Sequence, residues 1–209
     1  MTWWSWVLVA ACAGQGSLRQ QVGRGDASQV ATDPRVLEAQ QAVVGARMRR
    51  ERADADLGRL RLELAAVERR LEIAEADTDA ADAELRAARL SRDGERREVA
   101  LARREQARIE TARSRGERAW KRREVAARDA VLVAARAEEQ LRASEVELAR
   151  AESLAGTGET GTYALSGFIA QRARLQAAWE GAERRARSAL EEAAEAERQF
   201  RAGQPEEPA

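Results

Sequence analysis

The chain has no histidine, one cysteine, one lysine among 36 basic residues, three prolines and eight aromatics in 209 residues. Each shortage closes a class of function. Metal centres need clusters of His, Cys and carboxylate, and nucleophilic catalysis usually needs a neighbouring base. A chain without His and with a single Cys offers neither. Aromatics at 4% leave too little bulky apolar material for a deep globular core. The 36 bases are matched by 36 acids, so the basic surplus with which a general nucleic-acid binder displaces counterions is missing, and nucleic acid is not an expected partner. No catalytic residue, metal, cofactor or small-molecule substrate is expected.

What the chain does have is 47 alanines, 35 arginines and 34% charged residues. That composition suits an all-α protein whose long helices exchange narrow seams.

The first distinctive segment is Trp3 to Ala11, W-W-S-W-V-L-V-A-A, an apolar run broken only by Ser5. It is far shorter than the ~20 residues a membrane-spanning helix needs, and has the length of a signal-peptide core. Val9, Ala10, Ala11 and Cys12 follow the order aliphatic, small, small, cysteine. In these twelve residues the sequence resembles bacterial lipoprotein precursors. The resemblance implies a signal peptide over residues 1–11, cleavage between Ala11 and Cys12, and acylation of Cys12. It also implies outer-membrane sorting, because Ala13 rather than Asp follows the cysteine. Only Met1 and Thr2 precede the apolar run, a departure from the basic leading residues of that class. Two acyl chains, at ~0.8 kcal/mol per buried methylene, would anchor the chain durably. Residues 12–32, rich in Gly, Gln and Ser, read as the lipidated terminus and a flexible tether.

Asp33-Pro34 is a helix start, with Asp as N-cap and Pro at the first helical position. No further proline occurs up to Ala155. With Val36 as heptad position a, 26 of the 35 a and d positions from Val36 to Ala155 are apolar, against 44% for the whole chain, which predicts a coiled coil over 33–155. The frame weakens between Arg92 and Arg123, where Gln106, Arg113 and Gly116 fall on seam positions.

Two architectures fit: one straight rod of ~180 Å at about 1.5 Å per residue, or an antiparallel hairpin turning at Asp93-Gly94. Ser91-Arg92-Asp93-Gly94 is turn chemistry near the centre of the stretch. Folding there pairs positions whose numbers add to 187: Ala39 with Leu148, Ala46 with Leu141, Leu60 with Ala127, Val67 with Trp120, Leu71 with Gly116, Leu85 with Ala102. Large residues mostly oppose small ones. Residues 63–84 carry eight acids and two bases, and the facing 104–125 eight bases and four acids. The hairpin therefore joins opposite charges, and the basic run from Arg92 to Arg128 reads as the partner of the acidic arm.

Gly156 to Thr162 satisfies G-x-G-x-x-G, but follows a helix where a phosphate loop needs a strand, and reads as a linker. Phe168, Leu175, Trp179, Ala182, Ala186, Ala189, Ala193, Ala196 and Phe200 then form a second stripe, interrupted by Arg172, on a C-terminal helix over 163–202 with Thr162 or Ser166 as cap. Residues 203–209 form a tail. Phe168, Leu175, Trp179 and Phe200 are the candidates for docking this helix on the hairpin or on a partner.

The leading expectation is a lipid-anchored envelope protein, facing the periplasm from the outer membrane. It would act as spacer, scaffold or partner-binding rod, with a protein partner or a second copy engaged through the coiled coil. A holdase-like periplasmic chaperone and a cytoplasmic coiled-coil scaffold are the alternatives.

Overall fold

The computed structural model describes residues 32–91, 93–156 and 162–203. They form three helices: α1 (Pro34–Ser91), α2 (Gly94–Gly156) and α3 (Thr162–Ala202). The fold is all-α, an antiparallel helical hairpin of α1 and α2 joined by a third helix.

Local chemistry sets the boundaries. The Asp33 carboxylate accepts from the Arg35 N–H at 2.9 Å and its carbonyl from the Leu37 N–H at 3.1 Å, so the expected cap opens α1. At the turn, Asp93 does the same for α2: its side chain accepts from the Arg96 N–H at 3.1 Å and its carbonyl from the Arg97 N–H at 3.2 Å. The helix starts at Gly94, and α1 closes with the Ser91 hydroxyl donating to the Ala88 carbonyl at 2.9 Å. The third helix starts at Thr162, which leaves Ser166 inside it rather than at its cap.

The chain divides into two units. One joins the start of α1, up to Arg52, with Val133–Glu183; the other joins Ala53–Leu132 with the chain from Arg184 onward. In the first, Arg49 forms a bidentate pair with Glu138 (3.0 and 2.7 Å), and Arg47 and Arg50 both reach Glu139 at 3.3 Å. The end of α3's first turns packs there too: Phe168 is buried with Leu148 and Ala151, and Arg172, the residue that interrupts its stripe, reaches Glu145 at 3.5 Å.

In the second unit most cross-helix pairs have the opposite polarity, Arg61 with Asp129 and Arg70 with Glu117 excepted. Acids on α1 meet bases on α2: Glu63 with Lys121, Glu68 with Arg122, Glu75 with Arg115, Asp82 with Arg104 and Glu84 with Arg103. Arg49 with Glu138, Arg70 with Glu117 and Glu84 with Arg103 all add to 187, the register expected from the turn. Exposed pairs of this kind contribute only ~0–1 kcal/mol each, so the ladder selects register more than it stabilises.

The heptad frame holds along α1, where every a and d residue from Val36 to Ala88 is buried or half-buried. On the first half of α2 it does not. Val99 is 63% exposed and Ile109 49%, and Ala102 is exposed, whereas Ala100, Thr111 and Ser114 are buried and Arg104 and Ala107 half-buried. Leu85 accordingly clusters with Ala88 and Ala100, not with Ala102. Burial of the a and d positions would have drawn Gln106 and Arg113 into the seam. Presenting a neighbouring face keeps both in water and puts two alanines and two hydroxyls against α1. From Ala127 the frame returns, with Ala134, Leu141, Leu148 and Ala151 buried.

Candidate functional surfaces

Cys12 and its neighbours Val9, Ala10 and Ala11 lie outside the described residues, as do most of the linker and tail. Of the docking candidates, Phe168 is buried against α2, while Leu175, Trp179 and Phe200 are half-buried. No residue of the α3 stripe other than Arg172 is exposed.

Phe200 makes the most specific of these contacts. Its ring stacks on Trp120 with centroids 5.7 Å apart and planes 11° from parallel. Two of its ring carbons lie 3.1 and 3.3 Å from where a Cβ on Gly116 would sit. Gly116 and Trp120, expected opposite Leu71 and Val67 of α1, also meet α3: the missing side chain makes room for the Phe200 ring one helical turn from the Trp it stacks on. Lys121, the one lysine, places Nζ 4.4 Å from the Trp120 ring centroid and bonds Glu63 at 2.8 Å and Glu124 at 2.9 Å. Desolvation works to lower its pKa, and the hydrogen bonds to Glu63 and Glu124 outweigh it, holding the ammonium above its ordinary value. The same contact holds the Glu63 carboxyl below its ordinary value.

A polar node crosses the seam nearer the turn. Thr111 donates to the Ala74 carbonyl at 2.9 Å, and its hydroxyl lies 2.9 Å from that of Thr78, which also reaches the carbonyls of Ala74 (2.9 Å) and Ala107 (3.2 Å). Beside it a groove of about 430 Å³ runs between the helices, floored by Ala74, Ala81 and Ala107 and rimmed by Asp77, Glu84, Arg103, Gln106 and Glu110. Sequence reasoning missed the node and the groove. Thr78 was legible as an a position, but Thr111 belongs to the face that α2 presents only after its frame moves.

Among the described residues no group of three or more His, Cys, Asp or Glu side chains is placed to hold a metal ion, and no helix is long and apolar enough to cross a membrane. No protein-family model, curated protein sequence or solved structure matches the chain, so its function is argued from its own residues.

Proposed function

We propose that the protein is a lipid-anchored scaffold of the bacterial cell envelope, held through acylated Cys12 in the outer membrane, with its helical body in the periplasm as spacer or partner-binding element and without a catalytic step. The anchor rests on the apolar run of Trp3 to Ala11 ending in Val9-Ala10-Ala11-Cys12, the only cysteine. The scaffold reading rests on how the body uses its charge. Glu63, Glu68, Glu75, Asp82 and Glu84 are all spent on cross-helix pairs with bases of α2. Side chains committed in this way fix a register and a shape.

Mass spectrometry of the protein from bacterial membranes tests the anchor. The expected product starts at an acylated Cys12 with residues 1–11 removed; an intact Met1 terminus with a free thiol would refute it. Turnover of a peptidoglycan, ester or nucleotide substrate by the purified mature protein, lost on substitution of one carboxylate, would overturn the non-catalytic reading.

A further inference from the structure

A second apolar stripe runs along α1, on the side away from its seam with α2. Ile73, Ala76, Ala80, Ala83, Ala87 and Leu90 recur at alternating steps of three and four and are all exposed, Ile73 at 62% and Leu90 at 85%. In a two-helix coil these positions face water and are usually polar. Here all six are apolar, in a chain in which a third of the residues are charged.

Its flanks say what can cover it. Between Leu71 and Leu85 there are six acids and no base. Glu75, Asp82 and Glu84 are neutralised by Arg115, Arg104 and Arg103 of α2. Glu72, Asp77 and Asp79 make no ion pair among the described residues. The groove between α1 and α2 meets the stripe at Ala80, which belongs to both, and Asp77 and Glu110 on its rim make no ion pair among the described residues. Arg103 does not offset them, because both oxygens of Glu84 hold it at 2.9 Å. An anionic lipid surface is repelled by this charge. Beyond Leu85 the only bases within the stripe are Arg86 and Arg89, so a second copy laid parallel would set these acids against themselves, and one laid antiparallel would offer two bases to six acids.

We propose that this face of α1 is a docking surface for a basic amphipathic helix of a partner protein, whose Lys or Arg stem lies over the alanine floor of the groove with its charge between Asp77 and Glu110. The apolar stripe supplies a seam of the matching period, and the unpaired carboxylates supply charge complementarity and direction. This deepens the scaffold reading and does not depend on the lipid anchor.

Two synthetic helices of about four heptads serve as probes, with the same Ile and Ala stripe and either Lys/Arg or Glu flanks, titrated by fluorescence anisotropy against the full-length protein. The Lys/Arg helix is expected to bind, more weakly towards 1 M salt, where the screening length falls to about 3 Å. The Glu helix is expected not to bind. Ile73→Asp and Asp77→Arg, both at exposed positions, should each weaken binding by about tenfold or more, and Leu37→Asp, at an exposed apolar residue of the same helix outside the stripe, should leave it unchanged. Circular dichroism establishes that the variants fold. The proposal is overturned by equal binding of the two probes, by no binding of either, or by binding indifferent to Ile73 and Asp77. Sedimentation showing a self-associated protein that Ile73→Asp returns to monomer would equally overturn it, in favour of a second copy. An acylated Cys12 together with failed probe binding would leave the anchored scaffold standing and remove only this surface.

Discussion

The two halves of α2 solve the same problem with different materials. From Ala127 to Leu154 the helix buries Ala134, Leu141, Leu148 and Ala151 on the heptad frame, and also Leu132, Val146 and Leu154 outside it. From Gly94 to Arg123 it buries no residue larger than Thr111, turns Val99 and Ile109 to water, and is tied to α1 by guanidinium–carboxylate pairs and a hydroxyl node. Both halves pair charges with α1, through Glu138 and Glu139 in the second; what sets them apart is the apolar volume that the second half adds and the first lacks. A helix can thus keep one partner along its length while changing the apolar volume it buries there.

The largest contrast concerns the face that α2 presents. Ala100→Asp would bury an unpaired carboxylate against Leu85 and Ala88, for an expected loss on the order of 3 kcal/mol or more. Ala102→Asp, two residues on and exposed, is expected to stay within about 0.5 kcal/mol of the parent. Denaturant unfolding of the pair checks this, and equal losses would restore the original heptad frame.

The contrast in apolar volume comes next. Leu141→Ala, in the second half, should cost about 2–5 kcal/mol, as large-to-small core changes do. Ile109→Ala, in the first, should cost less than about 0.5 kcal/mol because its side chain is already half in water. Thermal melts of the two variants are the measurement.

A smaller effect isolates the polar node. Thr111→Val removes the donor to the Ala74 carbonyl and leaves Thr78 short of a partner, for an expected cost of about 1–2 kcal/mol. The double variant Thr78→Val/Thr111→Val should be less destabilised than the two single losses added, since neither hydroxyl is then stranded. Simple additivity would mean that the two hydroxyls act separately.

The smallest effect is that of pH. Asp33 is held below its ordinary pKa by the Arg35 N–H and by Ser153, and Glu63 by Lys121. A depressed carboxyl contributes stability that is present above its unfolded pKa, about 4, and is lost as pH falls through the lower folded value. Lys121 is raised, so its contribution is complete below its unfolded value and lost only as pH rises through a folded pKa above 10.5. Stability is therefore expected to be flat across neutral pH and to fall slightly at both extremes. Glu63→Gln should flatten both limbs, because it removes the partner that shifts Lys121 as well as the shifted carboxyl itself.

Much of this was legible in the sequence. The cap at Asp33, the turn at Asp93, the register of 187 and the stripe of α3 each follow from residue types whose local preference agrees with the fold. The change of face on α2 was not legible, because Ala100 and Ala107 are chemically the same as Ala102, and an alanine-rich helix offers several seams of nearly equal merit. Only the positions to be avoided, Gln106 and Arg113, hinted at it. The stack of Phe200 on Trp120 joins residues eighty positions apart, and no periodicity within either helix reports it. The outward stripe from Ile73 to Leu90 was countable, but a search for one seam per helix stops at the first that fits.

Nitroxide side chains placed one at a time from position 98 to 116 of α2 test most directly the claim that the two halves of this helix use different faces. The account predicts that mobility and oxygen accessibility fall to minima at 100, 107, 111 and 114 and rise at 99, 102, 106 and 109. Minima at 99, 102, 106 and 109 would contradict it, by showing one heptad frame running through the whole hairpin.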